Sequence, residues 1–71
     1  MPLQPYQERV VTEKTELDTK LKGLTDFIEG EKFPALDNAE KARLIAQKLV
    51  MEEYSGILGE RIEAFSAPSE A

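Results

Sequence analysis

Residues 38–65 read NAEKARLIAQKLVMEEYSGILGERIEAF, and apolar side chains recur in this stretch with helical spacing. Four large apolar residues follow one another at steps of seven: Leu44, Met51, Leu58 and Phe65. Seven residues make about two turns of α-helix, so these side chains share one face. Asp37 can cap the first turn, and Glu40, three residues later, completes a capping-box pattern. The stretch predicts a helix over about residues 38–65.

A second helical pattern precedes it in the chain. Its stripe recurs at steps of three and four and consists of Tyr6, Val10, Glu13, Leu17, Leu21, Leu24 and Ile28. Gly30 is predicted to end this helix in a left-handed conformation, and Pro34 favours a non-helical connection. We therefore expect a helix over about 6–29, a connection over 30–37 and a frayed tail over 66–71.

Two helices joined by a short connection pack as an antiparallel hairpin. The predicted fold class is all-α, with one helical-hairpin domain over residues 1–71. Folding the second helix back on the first would place Phe65 near Tyr6, and Leu58 and Arg61 near Glu13.

A two-helix core is small, and without a staple it rarely supplies more than about 3–5 kcal/mol. The 71 residues include no Cys and no His, which excludes a disulfide and the commonest metal ligands. Self-association is the remaining source of stability. We expect the hairpins to assemble into a homo-oligomeric helical bundle.

Charge and composition argue against several classes of protein. The net charge of −5, from 14 acidic and 9 basic residues, is unlike the basic face of DNA- or RNA-binding proteins. No apolar run is long enough to span a bilayer, and the N-terminal residues lack the features of a signal peptide. These observations favour a cytoplasmic protein.

The residues needed for catalysis are scarce. The chain has no His, no Cys and no Gly-rich phosphate-binding loop. Glu52 and Glu53 are adjacent in sequence and point about 100° apart on a helix, which is typical of a solvated face. We expect no enzyme activity, no catalytic residue, no metal site and no cofactor.

Two polar residues stand in or beside the predicted apolar stripes, Glu13 in the first helix and Arg61 in the second. Glu13 could form an ion pair with Arg9 or Arg61 and set the register of the hairpin. Alternatively, it could orient an arginine toward a ligand. The sequence leaves both roles open.

Tyrosines and arginines form the candidate binding set. An aromatic ring can stack on a base and a guanidinium can bind a phosphate through two hydrogen bonds, and the same residue types dominate protein–protein hot spots. The alternative is that the tyrosines border the core and the arginines form salt bridges. The ligand-binding candidates are Tyr6, Arg9, Glu13, Tyr54 and Arg61.

Several motifs resemble one known family. They are Tyr6-Gln7-Glu8-Arg9-Val10-Val11, Glu13-Lys14, Glu16-Leu17-Asp18, Asp26-Phe27-Ile28, and the run Tyr54-Ser55-Gly56-Ile57-Leu58-Gly59-Glu60-Arg61-Ile62. Together they resemble a widespread, uncharacterised family of small phage-encoded helical proteins described as crAss-phage-related. The resemblance implies a phage protein that works in the cytoplasm of a host bacterium.

Two functions remain open from the sequence. The first is phage counter-defence, in which homo-oligomer interfaces bind and sequester a small nucleotide immune signal, either a cyclic oligonucleotide or an NAD-derived molecule. The second is a helical interaction module that docks a host or phage protein through an amphipathic face.

Overall fold

The computed structural model describes residues 3–66 and is an antiparallel hairpin of two long helices. Helix α1 spans Pro5–Ile28, and helix α2 spans Asn38–Ser66. A short 3-10 turn, Phe33–Ala35, lies in the connection between them. The all-α hairpin is thus confirmed, whereas its homo-oligomeric assembly stays a prediction. The predicted frayed tail lies outside the described residues, apart from the backbone of Ser66. Neither described helix is long and apolar enough to cross a membrane.

Both helix starts follow from local hydrogen bonding. The backbone N–H of Gln4 donates to Gln7 Oε1 at 2.7 Å, and Pro5 occupies the first helical position, where no amide hydrogen is required. At the start of α2, the backbone N–H of Glu40 donates to Asp37 Oδ1 at 2.8 Å, which confirms Asp37 as the cap. The Glu40 carboxylate accepts a hydrogen bond from Arg43 Nε at 2.9 Å.

The end of α1 differs from its prediction. Gly30 does not have a positive φ, so the expected left-handed stop is wrong. The helix ends instead with a tightened turn, in which Gly30 N–H donates to the Phe27 carbonyl at 3.1 Å. Glycine still suits this position because a Cβ would lie 3.3 Å from the Asp26 carbonyl oxygen and 3.4 Å from that of Phe27.

The contact between the helices contains the small core. Val10 is 6% exposed, and Leu58, at 0%, has the one fully buried side chain within residues 3–66. Half-buried apolar residues extend the contact along both helices: Leu17, Leu21, Leu24 and Ile28 on α1, and Leu44, Met51, Ile62 and Phe65 on α2. The apolar stripes predicted from spacing therefore form most of the contact.

The polar members of those stripes were predicted wrongly. Glu13 and Arg61 are both exposed, whereas Lys14, Asp18 and Ser55 are among the half-buried polar residues. One residue along a helix turns the side chain by about 100°, so Lys14 rather than Glu13 faces α2. Lysine tolerates this position because its long apolar stem packs against the neighbouring helix while its ammonium group reaches polar atoms.

Gly23 offers a direct test of helix propensity. A Cβ at this position would have no heavy atom within 4 Å, and the residue lies inside α1. Gly23→Ala should therefore raise the free energy of unfolding by about 1 kcal/mol, measured by urea titration followed by circular dichroism. Gly30→Ala is the matched control and should gain less, because its Cβ would crowd two carbonyl oxygens. An equal gain at both positions would contradict this account.

Candidate functional site

The site predicted at the open end of the hairpin begins with an aromatic pair. The rings of Tyr6 and Phe65 contact edge to face, with centroids 6.2 Å apart and planes 79° apart. This contact confirms the predicted register of the two helices. Tyr6 remains 54% exposed, so part of its ring is available to a ligand or partner.

The two candidate arginines flank this aromatic pair. Arg9 lies three residues after Tyr6 on α1, and Arg61 lies four residues before Phe65 on α2, so each is about one helical turn from the rings. Both side chains are exposed. Within residues 3–66, neither forms an ion pair, whereas Lys14, Lys22, Arg43 and Lys48 each bind a carboxylate. Each guanidinium group is therefore exposed without a carboxylate partner among these residues.

Arg9 borders an open groove along α1. The groove is lined by Pro5, Glu8, Arg9, Thr12, Glu13 and Glu16. Three carboxylates and a single guanidinium therefore line this groove, and the potential of the groove in one chain opposes a phosphate. Glu13 lies among the groove residues and has no ion pair with Arg9 or Arg61, so the predicted interhelical pair is absent from the described part of the chain.

Tyr54 is not brought to this end of the hairpin. It lies eleven residues before Phe65 on α2, which corresponds to roughly 16 Å along the helix axis. Its side chain is 40% exposed. The structure therefore gathers Tyr6, Arg9 and Arg61 at one end and leaves Tyr54 nearer the middle of α2.

The main polar cluster is one that the sequence pattern did not single out. Lys14 Nζ donates to Asp18 Oδ2 at 2.7 Å and to Ser55 Oγ at 2.9 Å. Ser55 Oγ in turn donates to Asp18 Oδ1 at 2.5 Å. A Cβ on Gly59 would lie 3.4 Å from Lys14 Cε, so this glycine leaves room for the lysine stem. The spacing of Lys14 and Asp18 in the sequence predicts a surface ion pair. Ser55 joins this pair because α2 packs against α1 at this level.

This Lys14–Asp18–Ser55 cluster has a structural role. Each polar atom of the cluster is bonded to another member, and the cluster ties α1 to α2 at one level of the hairpin. The Lys14 hydrogen bond, followed by that of Ser55, holds the pKa of the Asp18 carboxyl below its ordinary value of 3.8. Residues 3–66 contain no acidic group of three that could hold a metal ion.

The lowered pKa of Asp18 predicts a pH dependence of stability. A carboxyl group whose pKa is lower in the folded chain stabilises the fold above pH 3.8, and this contribution disappears as the pH falls through the folded-state pKa. Asp18→Asn should be less stable than the wild type near neutral pH, and the difference should shrink below pH 3.8, as measured by thermal unfolding from pH 2 to pH 7. Lys14→Met should show the same convergence, because Lys14 is the main cause of the shift. Parallel curves at all pH values would contradict the prediction.

Comparison with known proteins identifies the family. A family model described as Sequestin matches residues 4–64. The chain is also 35% identical, over 60 residues, to an uncharacterized 7.5 kDa protein in the denB-rIIB intergenic region of Enterobacteria phage T4; the match covers 84% of this chain and 94% of the relative. No solved structure matches the chain. The chain belongs to the Sequestin family and is similar to a small phage protein, whereas the closer crAss-phage relation stays a prediction.

Proposed function

We propose that this Sequestin family member is a phage counter-defence protein that binds and sequesters a small nucleotide immune signal without chemical change. The family name denotes sequestration, and the similar protein comes from a phage that infects bacteria. A cyclic oligonucleotide or an NAD-derived nucleotide has the chemistry that suits the open end of the hairpin. The place of action is the cytoplasm of the host bacterium.

One observation carries this proposal: two arginines that have no carboxylate partner within residues 3–66 lie within one turn of a half-exposed aromatic pair. A nucleotide presents a flat base and an anionic phosphate. The exposed part of Tyr6 offers a ring for stacking, and the guanidinium groups of Arg9 and Arg61 offer donors in the fork geometry that matches phosphate oxygens.

Because the groove beside Arg9 is acidic, we place the ligand at an interface between copies of the chain. One chain supplies few cations against Glu8, Glu13 and Glu16. A symmetric homo-oligomer repeats each arginine around its axis, so two or more guanidinium groups can face one phosphate. Binding at a homo-oligomer interface would therefore overcome the acidic potential of the single chain.

Thermal melting with a panel of nucleotides tests this function. A ligand present at 100 times its Kd stabilises the protein by about 2.7 kcal/mol, which in a domain of this size raises Tm by roughly 10–20 °C. Cyclic dinucleotides, cyclic trinucleotides and cyclic ADP-ribose isomers are compared with AMP and NAD as controls. A shift confined to one signal class is expected, and no shift with any member would contradict the proposal.

Recovery of the ligand separates sequestration from catalysis. After binding, heat denaturation should release the nucleotide intact, with an unchanged mass and retention time on chromatography. Turnover to a different product would contradict the non-catalytic part of the proposal.

A further inference from the structure

Helix α2 exposes a largely apolar face that α1 does not cover. Its large apolar members are Ile45, Leu49, Val50 and Ile57, with exposed fractions of 45%, 55%, 64% and 55%. Ala42, Ala46 and Gly56 are also exposed and fall at helical spacing among them, as do the charged residues Glu53 and Glu60. We call these nine residues the outer face of α2. A helix with large apolar residues on its outer side as well as on its core side is typical of a helix inside a larger bundle.

Gly56 lies on this face and would allow another helix to approach it closely. A glycine inside a helix is less stable than alanine by about 1 kcal/mol. In one hairpin, a Cβ on Gly56 would have no heavy atom within 4 Å, so packing against α1 does not require glycine there. Close approach of another helix to the outer face would require a small residue at this position.

The charges of α2 indicate what covers the face. Residues 38–49 contain three basic side chains, Lys41, Arg43 and Lys48, against one acidic side chain, Glu40. Residues 52–63 contain four acidic side chains, Glu52, Glu53, Glu60 and Glu63, against one basic side chain, Arg61. Two copies of α2 laid antiparallel would pair the basic half of each with the acidic half of the other, whereas a parallel pair would place like charges together.

We propose that a second copy of this chain docks on the outer face of α2, with the two α2 helices antiparallel around a two-fold axis near residue 51. The contact is self-complementary, as a two-fold interface must be, and it produces a four-helix assembly with the two α2 helices at its centre. It also brings Arg61 of one copy to the level of Lys41 and Arg43 of the other, which adds cations near the aromatic end. The proposal deepens the homo-oligomer of the proposed function, and its test uses no nucleotide, so either proposal can fail alone.

Sedimentation of the full chain and of two variants tests whether the outer face of α2 forms the contact between copies. The wild type should sediment with at least twice the chain mass of 8.0 kDa. Leu49→Glu should reduce the mass to that of one chain, or shift the dissociation constant at least a hundredfold, because a two-fold axis near residue 51 places position 49 opposite Glu53 of the other copy and would bring like charges together twice. Thr19→Glu adds the same charge to an exposed position of α1 and should leave the mass unchanged. A folded wild-type monomer, which would leave the face to a different protein, or an unchanged mass in Leu49→Glu would overturn the proposal.

Distances between labels test the antiparallel arrangement and do not depend on whether Leu49→Glu folds. The chain has no Cys, so a single introduced cysteine carries the spin label. Antiparallel packing should separate labels at Ala39→Cys in the two copies by about 35 Å, and labels at Glu52→Cys, which is exposed at the edge of the outer face, by less than about 20 Å. A parallel pair would give short distances at both positions, and absence of any distance at Glu52→Cys would exclude this interface.

Discussion

Leu58→Ala should remove most of the stability of this protein. Leu58 is 0% exposed, and such a substitution in a core leaves a cavity that costs about 2–5 kcal/mol. A two-helix core supplies only about 3–5 kcal/mol in total. We therefore expect the variant to be largely unfolded at 25 °C, as measured by the loss of helical circular dichroism and of a cooperative thermal transition.

Leu3→Ala is the matched control for this prediction. It makes the same chemical change at a side chain that is 36% exposed and lies before α1. Its unfolding free energy should remain within about 0.5 kcal/mol of the wild type. If Leu58→Ala retained a wild-type melt, the contact between α1 and α2 would not be the core of the folded state.

The double variant Arg9→Ala, Arg61→Ala should lose nucleotide binding while keeping its fold. Both guanidinium groups are exposed and form no ion pair within residues 3–66, so their removal leaves no buried carboxylate without a partner. A charge-assisted hydrogen bond contributes about 1.5–3 kcal/mol, so each arginine is expected to contribute roughly ten- to a hundredfold in affinity. Calorimetric titration should show no binding by the double variant, and the unliganded melt should match the wild type.

Two further variants sharpen this second prediction. Arg61→Lys should restore only part of the affinity, because an ammonium group lacks the two-pronged geometry of a guanidinium. Lys22→Ala removes a cation that already binds Asp26 at 3.0 Å on the surface of α1, and it should leave affinity unchanged. Full nucleotide binding by the double variant would end the proposal for this end of the hairpin.

The structure also gives a different expectation for the stability of the single variant Arg61→Ala. If Arg61 balanced a partly buried Glu13, its loss would be strongly destabilising, and replacing both residues by apolar ones would restore the protein. Because both side chains are exposed and unpaired within the described chain, Arg61→Ala should instead leave the unliganded melt nearly unchanged.

Local patterns in the sequence were sufficient to predict the elements of this fold. The steps of three, four and seven predicted both helices, and Asp37 marked the start of α2 through a short-range hydrogen bond. The short connection predicted the antiparallel pairing, and with it the contact of Tyr6 with Phe65. These features depend on interactions between residues close in sequence, or on the chain length between them.

The tertiary structure decided how each helix is rotated about its axis. Val10, Glu13 and Leu17 follow one another at steps of three and four, and so do Val10, Lys14 and Leu17. The pattern alone therefore could not tell whether Glu13 or Lys14 faces α2. Packing places Lys14 there because its stem fits beside Gly59 and its ammonium group meets Asp18 and Ser55. Ser55 is forty-one residues from Lys14 in sequence. A hydrogen bond over that separation depends on the register and rotation of both helices together, and neither helix specifies it by itself.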